Sequence, residues 1–309
     1  KETCYFIYKH TFWQIYFLLC SYYFGLFIVQ MKRGKVFFSK KIWKYALGFN
    51  IPLIPHYLSQ TLLNSADRIM IDKMIGADAA GIYSLAYSIS MLMTMINTAL
   101  LQTVNPWIIK KIKDRQYEGI GKIAYITLGI IAIANLFLIC CAPEIVSFFA
   151  PKSYHDAIWV IAPIAMSSVF IFAYNLFSNF EFYFEKTLYI TISTCIAAIV
   201  NIVLNYIFIQ MFGYYAAGYT TLICYIIYAA MHYIFMKKIC RDNLNGVHIY
   251  NTKILALIFL GFMVTGFLTM TTYNYPVIRY SMVVIILLIV VLYRKNLLKF
   301  FMSMKLNKV

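Results

Sequence analysis

The sequence predicts an all-α, polytopic integral membrane protein with about nine transmembrane helices. Three observations carry this. Of the 309 residues, 62% are hydrophobic and only 12% are charged, about half the charged share of a soluble domain. Mean hydropathy is +0.74. Apolar runs of about 20 residues, each long enough to cross a roughly 30 Å hydrocarbon layer as a helix, recur along the whole length.

The runs fall at 11–30, 45–75, 79–105, 123–142, 157–178, 187–210, 216–236, 254–272 and 277–293. The formal charge of +16 invites a nucleic-acid partner, but its distribution argues against one. Most of the 27 Lys and Arg residues sit between runs, on alternate loops. "MKRGK" with Lys40, Lys41 and Lys44 follows the first run, "KKIKDR" the third, Lys186 the fifth, "KKICR" and Lys253 the seventh, and "RKNLLKFFMSMKLNKV" the ninth. This is the positive-inside pattern. It predicts a cytoplasmic C-terminus and places the N-terminus as given outside. The chain starts at Lys1 with no signal-peptide pattern, and an outside start suggests further spans upstream. The connection at 237–253 is polar and basic. It separates the six runs of 45–236 from a last hairpin.

The second run is the most informative. From Tyr45 to Ile75 it would make about 46 Å of helix at 1.5 Å per residue, so it must bend, tilt or protrude. Pro52 and Pro55 remove backbone donors near its inner end and predict a hinge. His56, Gln60, Asn64 and Arg68 are spaced by four, which puts them on one helix face. Lipid offers no hydrogen-bond partners, so such a stripe faces protein or water. One expectation is a cavity lining. The plainer one is a kinked helix in which Arg68 pairs with Asp72.

Later runs repeat the pattern. The third carries Thr94, Asn97, Thr98, Gln102 and Asn105, ending at Pro106. The fifth carries Ser167, Tyr174, Asn175, Ser178 and Asn179, leading to Glu181 and Glu185. The sixth has Asn201 and Asn205 four apart. Inter-helix bonds worth about 1 kcal/mol each are the simple reading. Several stripes together favour a shared aqueous interior, with His56, Gln60, Asn64, Arg68, Asn97, Gln102, Asn175 and Asn179 as candidate cavity residues. Asp67, the acid beside Arg68, is the candidate for binding a coupling ion.

Enzyme motifs are missing: no P-loop, GxGxxG, GxSxG or HExxH occurs. The seven cysteines form no CxxC pattern. No metal site, disulfide or cofactor is expected.

The run "LLNSADRIMIDKMIGADAAGIYSLAYSI" (62–89) resembles the start of the second half of bacterial polysaccharide-biosynthesis flippases, relatives of the multidrug/oligosaccharidyl-lipid/polysaccharide exporter superfamily. "NPWIIKK" (105–111) adds to the likeness, which extends over most of 40–240. The resemblance implies a fold of 12 to 14 helices in two six-helix bundles around a central cavity. On that scheme 1–44 is the last helix of the first bundle with its basic loop, 45–240 is the second bundle, and 241–309 is an extra helix pair and tail. About five helices would lie upstream. The implied activity is translocation of an undecaprenyl-pyrophosphate-linked oligosaccharide across the bacterial inner membrane by alternating access, without covalent chemistry. The implied partners are the lipid-linked oligosaccharide, membrane lipids, and the polymerase and glycosyltransferases of the pathway. An ion-coupled multidrug exporter on the same fold is an alternative. A membrane-embedded polymerase or acyltransferase is another.

Overall fold

Among the described residues, 20–34 and 39–306 of a computed structural model, all regular structure is helical. The chain divides into two units at the Ile51–Pro52 bond. The first holds α1 (20–34) and α2 (Lys40–Asn50). α2 buries no residue, and Tyr22, Tyr23, Phe24, Phe27 and Trp43 are exposed. The first predicted run is thus described only from residue 20 onward; 11–19 lie outside the described residues.

The second unit holds α3 (Ile54–Met74), α4 (Ala77–Ser90), α5 (Leu92–Lys113), α6 (Ile120–Phe149), α7 (Ile158–Tyr183), α8 (Thr187–Phe212), α9 (Tyr215–Asn243), α10 (Thr252–Thr271) and α11 (Pro276–Leu306). Among the described residues, six stretches are long and apolar enough to cross a membrane: Ala77–Lys113, Ile120–Phe149, Lys152–Tyr183, Thr187–Phe212, Tyr215–Asn243 and Thr252–Thr271. Pro276–Leu292 is a shorter apolar one. The chain is a multi-pass membrane protein.

Two predicted runs differ from the structure. The second is not one long helix. α2 stops at Asn50, a 3₁₀ turn covers Ile51–Leu53, and α3 restarts with a proline in its first turn. Pro52 and Pro55 cannot donate backbone hydrogen bonds, so the ladder breaks where they fall together. α3 is long enough to span, at 21 residues, but its polar stripe keeps it out of the apolar set. The third run is broken at Met91 into α4 and α5.

α7 organises the second unit. Its apolar window is 83% buried, against 28–50% for the other candidate spans. A helix apolar on all sides belongs in the middle of a bundle. α9, α6, α5, α4 and α10 pack around it, α3 packs on α8 and α4, and α10 and α11 lie on α6. Polar glue stitches the hub. Asn97 of α5 donates to the Ser168 carbonyl of α7 at 2.8 Å, and the Ser168 hydroxyl donates to Asn135 Oδ1 of α6 at 2.9 Å.

Two local contacts add to the packing of the extra pair. Near the start of α6, Gly121 lies so close to the 244–251 connection that a Cβ would fall 2.7 Å from the Ile249 carbonyl oxygen. Backbone cannot rotate away as a side chain can. Gly121→Ala should therefore cost about 1–3 kcal/mol, read as a lower unfolding temperature in detergent. Gly129→Ala, on the same helix with nothing within 4 Å, should be neutral or slightly stabilising. At the other end, Arg279 of α11 forms a bidentate ion pair with Glu144 of α6 at 2.5 and 2.6 Å.

Candidate functional site

The α3 stripe divides by depth. His56 and Gln60 are half-buried against the bundle. His56 Nδ1 lies 2.6 Å from Thr194 Oγ1 of α8, and Gln60 donates to the Tyr228 hydroxyl of α9 at 3.1 Å. Thr194 and Tyr228 share a further 2.9 Å bond. Pro52, at the break, accepts from the Thr191 hydroxyl of α8. One turn higher, the stripe opens out. Asn64 is exposed and Arg68 is half-buried.

The guanidinium of Arg68 does not reach Asp72. It turns back to donate to the Asn64 carbonyl at 2.9 Å and lies 4.8 Å over the Tyr87 ring. Among the described residues it forms no ion pair. A carbonyl and an aromatic face stabilise the cation but leave its charge uncompensated.

Asp67, one residue earlier, points the other way into the bundle and is 2% exposed. Its carboxylate accepts from Tyr83 of α4 at 2.7 Å, Thr221 of α9 at 2.7 Å and Asn205 of α8 at 2.5 Å. Asn205 also donates to Asn201 Oδ1 and accepts from Thr220. Four helices thus bring a carboxylate, two amides and three hydroxyls into one cluster. Oxygen donors of this kind suit a hard cation.

The remaining predicted residues take two courses. Gln102 is exposed on α5 beside an open concavity of about 600 Å³, lined by Ser88, Thr94 and Thr98 with Met91 and Met95. Asn97 and Asn179 are instead buried with protein partners. Asn97 bonds to Ser168 as described, and Asn179 donates to Asn105 Oδ1 of α5 at 2.9 Å. Asn175 is half-buried and bonds back to its own helix at Ile171.

Sequence reasoning missed Tyr83, Thr220 and Thr221 around Asp67. Their spacing relative to Asp67 carries no signal, because Tyr83 comes from α4 and the two threonines from α9. Asn201 and Asn205 were visible as a pair, but not as its ligands.

The profile of a family described as "Polysaccharide biosynthesis protein" matches residues 11–112. "Lsg locus putative protein 1" of Haemophilus influenzae is 21% identical over 160 residues, covering 51% of this chain and 40% of that protein. A solved multidrug resistance MATE family transporter of the MOP superfamily, in its outward-facing conformation, superimposes with a TM-score of 0.52 at 20% identity, over 72% of this chain and 52% of that one. A Pyrococcus furiosus MOP superfamily transporter aligns at 20% identity with a TM-score of 0.49, over the same shares. The chain therefore spans about two fifths of its curated relative and about half of the transporters. The resemblance read from residues 62–89 is borne out: the chain is similar in sequence to polysaccharide biosynthesis proteins, and its fold is similar to that of the MATE family transporter.

Proposed function

We propose that this chain is part of a flippase that carries a lipid-linked oligosaccharide, on an undecaprenyl-pyrophosphate-type carrier, across a bacterial inner membrane, with its C-terminus in the cytoplasm. One observation supports this most. An otherwise apolar bundle exposes Asn64, Ser88, Thr98 and Gln102, and part of Arg68, within its helices, where hydrocarbon would offer their remaining hydrogen-bonding capacity and the Arg68 charge nothing. That face is best used as one wall of a water-filled passage, facing a second bundle. Hydroxyls and amides suit a sugar head. Arg68, with its charge uncompensated, suits pyrophosphate through charge-assisted bonds. The polyprenyl tail would stay in lipid.

In this reading Asp67 binds the coupling ion, and Pro52 and Pro55 form the hinge for alternating access. The pathway's polymerase and glycosyltransferases are the expected partners. A cationic drug is a poorer cargo, because it would meet Arg68 as a like charge.

A deletion strain complemented with the full-length gene tests the site. Arg68→Ala should lower surface polysaccharide at least tenfold at equal protein level, the loss expected when about 1.4 kcal/mol or more of anion binding goes. Arg68→Lys should restore part of it. Normal polysaccharide with both Arg68→Ala and Asn64→Ala would reject the assignment. Increased drug sensitivity with unchanged glycan would favour the exporter.

A further inference from the structure

A second ionisable site lies between α7 and α9, away from the Asp67 cluster and not used by the reading above. Glu181 and His232 are both fully buried. His232 Nδ1 sits 2.9 Å from each carboxylate oxygen of Glu181. Its other nitrogen, Nε2, is buried with no hydrogen-bond partner among the described residues. The ring is held in place by aromatic neighbours, with Tyr174 of α7 stacked at 5.4 Å and Tyr228 of α9 edge-on at 4.6 Å. Besides those two tyrosines, His56 of α3 faces the pair electrostatically. Thr194 of α8, a neutral group, joins Tyr228 to His56.

Charge counting restricts what this pair can hold. With one proton, the unit is neutral overall, whether as carboxylate and imidazolium or as carboxylic acid and imidazole. With none it carries −1, and with two +1, in a packed interior where the described residues supply no further ion-pair partner. An uncompensated buried charge is unfavourable by several kcal/mol. Close packing of α7 on α9 therefore selects the singly protonated state. Loss of the proton requires water, and the atom prepared to receive water is Nε2, a buried polar group that is costly to leave unpaired. Lys186 follows α7, and Lys237 and Lys238 lie one to two turns beyond His232. The positive-inside pattern puts this end of both helices at the cytoplasm.

We propose that Glu181 and His232 form a proton-binding site, which holds one proton while α7 and α9 are packed and releases it to cytoplasmic water when their inner ends part. Tyr228, Thr194 and His56 connect this site to the α3 stripe. Its use in driving transport rests on the proposed function; its existence does not.

The test uses full-length protein in lipid nanodiscs with ¹⁵N-labelled histidine, His232 being assigned through His232→Gln. While α7 and α9 stay packed, the His232 nitrogens should keep one protonation state across about pH 5–8, and Glu181→Gln should change that state at one or both limits. Should Glu181→Gln fail to fold, the exchange Glu181→His with His232→Glu keeps the pair and should keep the wild-type pattern. A His232 protonation state unchanged by Glu181→Gln would overturn the site. In proteoliposomes carrying a fluorescent undecaprenyl-pyrophosphate-linked sugar, a one-unit pH gradient should accelerate wild-type transport. It should leave Glu181→Gln unaffected. Equal acceleration of both would overturn the coupling role. A wild type that moves no lipid would reject the proposed function, while the nitrogen spectra still decide the proton site.

Discussion

Replacing Asp67 with alanine is expected to destabilise the second unit by about 3–5 kcal/mol, at the extreme of single-substitution effects. The carboxylate is the convergence point of Tyr83, Thr221 and Asn205. Removing it leaves three buried donors without an acceptor, and each unsatisfied group costs about 1–3 kcal/mol before relaxation. The two hydroxyls can rotate toward other acceptors, so the sum is not fully realised. Asp67→Asn separates structure from charge. Its amide keeps one acceptor, and the hydroxyls of Tyr83 and Thr221 can accept from its NH₂. The loss of stability should therefore be about half as large or less. If the cluster binds the coupling ion, Asp67→Asn should still remove ion dependence. Thermal unfolding in detergent with and without added Na⁺ provides the measurement. Wild-type stabilisation by Na⁺ that survives in Asp67→Asn would remove Asp67 from the ion site.

The Glu144–Arg279 clamp should respond asymmetrically. The arginine is 3% exposed and the glutamate side chain 41% exposed. Arg279 also donates to the Cys140 carbonyl at 3.1 Å, and Tyr280 donates to Glu144 at 2.9 Å. Glu144→Ala leaves a guanidinium buried without its counter-charge, a loss of about 3 kcal/mol or more. Arg279→Met leaves a carboxylate that water can reach and puts an apolar chain in the buried position, so its cost should be clearly smaller. Unfolding temperatures of the two variants decide the order. Glu144→Ala no worse than Arg279→Met would mean that the guanidinium finds water or another partner. Limited proteolysis in the 272–276 turn should rise with Glu144→Ala, since the clamp holds the first turn of α11 to α6.

Much of the membrane architecture was legible in the chain. Runs of apolar residues set the helices from 123 to 272 to within a few residues at their starts, because hydrocarbon thickness fixes a minimum length. Polar spacing on α3 was legible too, and the break at Pro52 and Pro55 was foreseen as a bend. The outcome of that spacing was not. Residues four apart share a face, but Arg68 and Asp67, adjacent in sequence, end on an open surface and in a sealed core. The predicted Arg68–Asp72 pair failed because a carbonyl one turn back and the Tyr87 ring offered closer partners. Asn97 and Asn179 looked like Gln102 in sequence, yet both are buried between helices while Gln102 is exposed.

By itself the sequence determined that the chain enters a membrane as many helices, where polar groups interrupt them, and which loops carry the positive charge. These are properties of single segments against lipid and water, and each segment's composition is sufficient for them. Only the tertiary structure decided that Asp67 meets Tyr83, Asn205 and Thr221, and that Glu181 meets His232 across 51 residues. Such pairings depend on how helices rotate and pack about α7, and no periodicity within one helix encodes the angle at which another arrives.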